Sequence, residues 1–351
     1  MKADIYRLFL MLFLFGSAAQ AQGFADLGST AQGFAVPDRN TVLSFPRDHG
    51  AHPRFRIEWW YLTATLTGSD GQPYGVQWTL FRSALRPQDG TGWQTPQLWM
   101  GHAAVTSATE HHIAERMARG GIGQAGVIAA PFTAWIDDWA MIGDIGTGMD
   151  SLSLTARGTE FRYDLKLHAD TPLVLQGERG YSVKSADGQA SHYYSQPAFD
   201  VTGTLYLPDR DVQVTGQGWL DREWSSQPLS ANQSGWDWFS LSFDSGARMM
   251  GFRLRDSGAG YTSATWIAPD GTTQSLPDGA LQLTPLTSQK VQGRTIPTRW
   301  RVALPARQLD IVVDALNAQS WMETSFPYWE GPVSISGSHT GRGYLEMTGY
   351  D

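Results

Sequence analysis

Glu58 and Arg82 are charged residues that strand periodicity turns toward apolar faces. In the run 57–67, alternation groups Glu58 with Trp60, Leu62, Ala64 and Leu66; in 76–85 it groups Arg82 with Val76, Trp78, Leu80 and Ala84. A pair on neighbouring strands is the economical arrangement, because a buried charge without a partner is strongly destabilising. The same burial could instead raise the Glu58 pKa and make it an acid. A second grouping is Asp221-Arg222-Glu223-Trp224, ending a run that starts at 212, where alternation puts Asp221 and Glu223 beside Gln217 and Trp219. Carboxyl groups beside indoles can do acid–base chemistry or hold the polar end of an apolar ligand. Trp236-Asp237-Trp238 follows shortly after. His102 is a candidate base, and Tyr194, within Tyr193-Tyr194-Ser195, a candidate cleft wall. The candidates for catalysis are therefore Asp221, Glu223, His102 and Glu58. Those for ligand contact are Trp60, Trp78, Arg82, Tyr194, Trp219, Arg222, Trp224, Trp236 and Trp238.

Other chemistries lack their residues. There is no cysteine for a thiolate nucleophile, thiolate metal site or disulfide, and no G-x-S-x-G elbow, P-loop or H-E-x-x-H. Gly121-Ile122-Gly123-Gln124-Ala125-Gly126 fits G-x-G-x-x-G, but the polar segment before it is not the buried strand that a dinucleotide site needs. His49-x-x-His52 and His111-His112 have no third ligand at a useful spacing, so surface histidines, no metal and no cofactor are expected. A formal charge of -8 argues against nucleic acid as a partner.

The candidate side chains need strands to hold them. Runs at 60–67, 76–85, 161–168, 199–207, 213–219, 238–243 and 345–350 alternate apolar and polar residues. Asp70-Gly71, Asp187-Gly188, Asp244-Ser245-Gly246, Asp270-Gly271 and Asp278-Gly279 supply tight connections. With 15 Trp, 12 Tyr, 15 Phe and 38 Gly in 351 residues, the chain reads as all-β: two antiparallel barrel or sandwich domains with few short helices, around 111–119 and 130–139. The polar stretch 225–234, containing Pro228, predicts a linker between domains 22–229 and 230–351. Residues 1–21 carry Lys2 and Arg7, an apolar run at 8–15 and Ala19-Gln20-Ala21, which together predict an export signal cleaved before Gln22. A periplasmic or secreted protein without stable membrane insertion is the expectation.

Glu58-Trp59-Trp60-Tyr61 and Gly75-Val76-Gln77-Trp78-Thr79-Leu80-Phe81-Arg82 resemble the carotenoid 1,2-hydratase/AttH (CrtC/AttH) family of secreted proteins. Further matches are Tyr194-Ser195-Gln196-Pro197, Asp221-Arg222-Glu223-Trp224-Ser225-Ser226, Gly235-Trp236-Asp237-Trp238-Phe239, Trp329-Glu330-Gly331 and Gly343-Tyr344-Leu345-Glu346-Met347-Thr348-Gly349-Tyr350. The resemblance implies two lipocalin-like units side by side, with any ligand inside a unit or between them. It also implies functions from hydration of polyene double bonds to cyclisation and roles beside transporters. In the hydratase branch the stretch matching residues 221–224 resembles Asp-His-Asn-Trp; here arginine stands in place of the histidine, and it cannot donate a proton near neutral pH.

The leading expectation is a periplasmic lipocalin-like protein that binds a hydrophobic molecule (a lipid, isoprenoid or polyene), with ABC-type transporter components as possible partners. The alternative is a hydratase or isomerase in which Asp221 or Glu223 protonates a carbon–carbon double bond and the indoles of Trp224, Trp236 and Trp238 stabilise the cation.

Overall fold

The computed structural model describes residues 31–146 and 148–350, so the expected export signal lies outside the described residues. Among the described residues, every regular element is a β-strand or a short 3-10 turn. The first sheet holds β1 (Ile57–Gly68), β2 (Pro73–Ala84), β3 (Gln97–Ser107), β4 (His111–Arg119), β5 (Ala125–Ala129), β6 (Phe132–Ile136) and β7 (Trp139–Gly143). It continues with β8 (Ser151–Arg157), β9 (Arg162–His168), β10 (Val174–Leu175), β11 (Tyr181–Val183), β12 (Ala190–Leu207) and β13 (Arg210–Ser225). The second sheet holds β14 (Gly235–Phe243), β15 (Arg248–Arg255), β16 (Tyr261–Ile267), β17 (Thr273–Leu276) and β18 (Gln282–Val291). Its remaining strands are β19 (Arg294–Leu304), β20 (Leu309–Ala315), β21 (Trp321–Met322), β22 (Tyr328–Gly337) and β23 (Gly341–Met347).

The first sheet runs β4-β3-β2-β1-β13-β12-β9-β8-β7-β6-β5, with β10 and β11 on β12; the second runs β17-β16-β15-β14-β23-β22-β20-β19-β18, with β21 on β22. Neighbours are antiparallel, and each sheet curls around its own apolar core, giving two lipocalin-like units. Glycines of the five Asp-Gly or Asp-Ser-Gly turns all have positive φ, from 77° to 95°, as tight reversals between such strands require.

Both helix expectations are overturned. Residues 111–119 are rich in helix formers, yet they form β4, paired with β3 from Leu98↔Arg119 to Thr106↔His111. Tertiary pairing overrides local propensity here because a period of two sorts the segment well: Ala114 and Ala118 pack on the first core, while Ile113 packs with Met322 and Tyr328 of the second unit. Residues 130–139 instead contribute to the β6–β7 hairpin, which reverses at Asp137 with φ 51° and buries Phe132, Ala134 and Ile136. The G-x-G-x-x-G run joins two strands, β4 and β5, with Gly121 and Gly123 at positive φ.

The chain leaves the first sheet at Ser225 and joins the second at Gly235. A third apolar cluster seals the units together, in which Tyr61, Tyr193 and Trp219 meet Trp238, Phe252 and Tyr344. Gly75 permits this approach, since a Cβ there would lie 2.6 Å from Pro332 and 2.8 Å from the Tyr344 hydroxyl.

Candidate functional site

Alternation along β13 divides the expected Asp221–Trp224 grouping between two faces. Arg222 and Trp224 turn into the first unit, whereas Trp219, Asp221 and Glu223 turn toward the second.

On the inner face, Glu58 stands opposite Arg82 in the β1–β2 register and forms an ion pair with it. Arg222 is a second partner, its Nη2 2.6 Å from Glu58 Oε2 and its guanidinium 3.7 Å over the Trp60 ring. Both guanidiniums also grip the chain ahead of β1: Arg82 donates to the carbonyls of His52 and Phe55, and Arg222 to that of Gly50. Burial alone would raise the Glu58 pKa, but Arg82 and Arg222 outweigh it and hold the carboxyl far below the usual carboxylate range. Glu58 is thus a fixed anion rather than a proton donor. His49 and His52 are not the surface residues expected. His49 is buried, with Nδ1 2.7 Å from the Tyr194 hydroxyl, and His52 stacks on Trp224 at 3.9 Å with Nδ1 3.1 Å from Glu58. The bonds from Arg82 and Arg222 draw this segment onto the strand face. Trp60 and Trp78 complete a filled core, so this set of side chains forms a lock on the first unit rather than a cavity wall.

The outward face borders a cavity of about 400 Å³ between the units. Trp59, Tyr61, His102, Asp221 and Glu223 reach it from the first unit. Trp236, Trp238, Phe252, Tyr328 and Glu346 reach it from the second. Trp219 stands beside it and donates from Nε1 to Asp221 Oδ1 at 2.8 Å. Asp221 also accepts from the Tyr193 hydroxyl at 2.8 Å and from Ser195. Burial nevertheless dominates and pushes its pKa up to about 7, against hydrogen bonds from Ser195, Trp219 and Tyr193 that favour the charged form. Glu223 is paired with Lys184, whose Nζ is 2.7 Å from its carboxyl and 4.3 Å from the Phe252 ring centre. On the far wall Glu346 accepts from Trp236 Nε1 at 2.6 Å, and its pKa too is pushed up to about 7, by burial above all. His102 is held neutral by burial, between Glu115 and the Tyr328 hydroxyl. Among the described residues, no cluster of His, Asp and Glu is arranged to hold a metal ion. A carboxylic acid that keeps its proton near neutral pH can protonate a base as weak as an alkene, and surrounding π faces favour the resulting cation.

These environments fix how stability depends on pH. Asp221 and Glu346 have folded pKa values above their ordinary ones, so between about pH 4 and 7 the folded chain holds protons that the unfolded chain releases, and stability falls with rising pH by up to about 1.4 kcal/mol per unit per group. Glu58 and Asp48 have the opposite sign: their contribution is present above the ordinary carboxylate pKa and is lost as pH falls toward their depressed values. Asp221→Asn is therefore expected to gain stability relative to the parent chain as pH rises from about 4 to 7, while the buried His49, His102 and His192, whose pKa values burial lowers, give the parent an opposing rise in stability with pH below about pH 6.5. A stability difference between variant and parent that stays constant over about pH 4 to 7 would contradict the Asp221 assignment.

Sequence reasoning did not single out Glu330, Glu346, Tyr61, Tyr328 or Lys184. The signal for the two glutamates was available: Glu330 alternates with Trp329 and Glu346 with Leu345 and Met347, all three of which pack in the second core, so both carboxyls must point out of it. What they meet there is set by the other unit, and strand periodicity carries no information about that.

The family model described as AttH-like matches residues 36–350. The chain belongs to the AttH-like family. Among solved structures, one described as an AttH protein from Nitrosomonas europaea is 31% identical, with a TM-score of 0.80 over 91% of this chain and 100% of that one. Kievitone hydratase from Nectria haematococca shares the fold at 16% identity, with a TM-score of 0.66 over 91% of this chain and 98% of that one. Among curated protein sequences, none matches the chain. Membership places the two-unit architecture on firm ground, and no helix among the described residues is long and apolar enough to cross a membrane.

Proposed function

We propose that this AttH-like protein is an acid–base enzyme that adds water across, or shifts, a carbon–carbon double bond of an apolar substrate held between its two units. The observation that carries the reading is Asp221: a carboxyl group raised to about 7, facing a cavity walled by Trp59, Trp236, Trp238 and Phe252. Its proton passes to an alkene carbon, the π pair becoming the new C–H bond, and the cation left on the neighbouring carbon faces the indoles. In hydration, a lone pair of water closes the C–O bond and a cavity carboxylate takes the proton that water loses. In isomerisation, a cavity carboxylate takes a proton from the adjacent carbon instead, and that C–H pair becomes the new π bond. Arg222, standing where the hydratase branch has histidine, faces away from the cavity, so the acid in this chain is its neighbour. A fold neighbour named as a hydratase supports the reaction class.

A carrier without chemistry is the second reading, favoured by the Lys184–Glu223 pair at the cavity wall, which could hold the polar end of a hydrophobic ligand on its way to a transport component. The two separate on incubation in ¹⁸O-water with prenylated phenols, isoprenoid alcohols and polyenes: an enzyme yields a product heavier by one labelled water or a double-bond isomer, and a carrier returns its ligand unchanged. We place the mature protein in the periplasm or outside the cell, and expect its intact mass to begin at Gln22; an uncleaved chain in the membrane fraction would overturn that placement.

A further inference from the structure

Six side chains run along the cavity wall to the outer surface of the molecule; Glu346, Tyr61, Tyr328 and His102 border the cavity, Glu330 lies behind them and Glu115 ends the series outside. Glu330 and Glu346 are directly opposite in the β22–β23 register, Glu330 buried and Glu346 half-buried at the cavity wall. The Tyr61 hydroxyl reaches across from the first unit, donating to Glu330 Oε1 at 2.5 Å while also lying beside Glu346. Glu330 Oε2 has no conventional hydrogen-bond partner, and Tyr328 is the other hydroxyl beside that carboxyl. The Tyr328 hydroxyl is 3.0 Å from His102 Nδ1, and His102 Nε2 is 3.1 Å from Glu115 Oε1. Glu115 ends the series at the surface, its side chain 25% exposed.

We infer that Glu346 is the catalytic base that takes the proton from water, and that Tyr61, Glu330, Tyr328, His102 and Glu115 form a relay that carries this proton to solvent. The inference rests on the acid–base reading of the cavity. Donor polarity is consistent along the series. Glu115 is held ionised chiefly by His102, so His102 Nε2 carries the hydrogen and donates to it, which leaves Nδ1 to accept from Tyr328. A protonated Glu330 then donates from its partnerless Oε2 toward Tyr328 and accepts from Tyr61, and a protonated Glu346 donates to Tyr61. Each hydrogen thus points outward. One turnover of hydration leaves Asp221 ionised and Glu346 with an added proton; the relay discharges that proton to solvent while an apolar product still occupies the cavity, and Asp221 takes a proton back from solvent once the product has left. The charged and titratable groups facing the pair are Tyr61, Tyr163, Asp221 and Glu223 (the last with Lys184) from the first unit, and Tyr328 and Tyr344 from the second. Glu115, His102, Tyr328 and Glu330 act through Glu346 and are positioning residues. Their role is distinguished from simple packing by proton exchange rather than by activity.

The test uses infrared spectroscopy of the mature chain without substrate, following the shift of buried carboxylic C=O bands after transfer to heavy water near pH 6. The background is Glu346→Gln with the cavity filled by a saturated hydrocarbon, because Tyr61, Tyr328 and His102 also border the cavity and its water must be excluded for Glu115 to be the remaining outlet to solvent. In that background Glu115→Gln and His102→Gln should each slow exchange of the Glu330 band about tenfold or more. Glu115→Gln keeps the size and surface position of the native side chain, which guards against misfolding of the buried His102 variant. Unchanged exchange in Glu115→Gln, or absence of a protonated Glu330 band, overturns the relay. Turnover is measured separately. Loss of the proposed reaction with slowed exchange intact discredits the function and not the relay, and the converse discredits only the relay.

Discussion

Asp221→Asn is expected to lower turnover about a hundredfold or more while leaving affinity for an apolar substrate within about 1 kcal/mol. Asparagine keeps the Oδ1 acceptor that Ser195 and Trp219 address and sets an amide NH2 where Oδ2 accepts from Tyr193, whose hydroxyl can turn to accept from it. The transferable proton is lost while the size of the side chain is kept. A general acid acts in the transition state and contributes little to ground-state binding, which is why the effect should fall on kcat. Trp238→Ala should do the reverse, weakening binding by about 2 kcal/mol through lost apolar contact. Stopped-flow quenching of tryptophan fluorescence gives the affinity, and mass detection of hydrated or isomerised product gives the rate. Equal turnover in Asp221→Asn and the parent chain would remove Asp221 from the chemistry and leave the carrier reading. The same variant should also be more stable than the parent at pH 8, because a carboxyl group that must ionise in a buried site is replaced by a neutral amide. Opposite signs for stability and rate are hard to obtain from a residue that merely packs.

Glu58→Gln is expected to cost the first unit about 3 to 5 kcal/mol, the upper end of that range being favoured because two guanidiniums are left facing each other without an anion. Arg82→Leu should cost less, since Glu58 retains Arg222 at 2.6 Å. Replacing Glu58, Arg82 and Arg222 together by apolar residues of similar size should cost less than the sum of the single changes, because desolvation of three charges is relieved along with their attraction. The remaining loss would report the carbonyls of Gly50, His52 and Phe55, which lose their donors and release the segment ahead of β1. Chemical denaturation followed by circular dichroism measures these three variants together with the single change Arg222→Leu, which the sum requires. Strict additivity would mean that these charges do not interact. Since none of them lines the cavity, variants that still fold should keep the substrate affinity of the parent.

The strands and their turns were legible in the chain because alternation and positive-φ glycines are local properties: the run 57–67 shows its apolar face to Glu58, and Asp70-Gly71 marks its reversal whatever the rest of the molecule does. Facing charges on two adjacent apolar strands likewise called for the Glu58–Arg82 pairing. Local composition misled at 111–119, where helix formers occupy a strand whose pairing with β3 decides its conformation. Tertiary structure alone supplied the second partner of Glu58, from a strand some 160 residues away, as the sequence separation of 164 between Arg222 and Glu58 records. It also decided which face of β13 meets the other unit. Asp221 and Arg222 are neighbours in the chain, but a period of two sends one into a shared aromatic cavity and the other into a closed core, and their ionisation follows from those surroundings. The pairing of Glu330 with Glu346 and its approach to Tyr61 depend on how two separately folded sheets dock. Each sheet fixes its own outward residues through alternation, but what those residues meet depends on contacts between surfaces, and strand periodicity does not encode them.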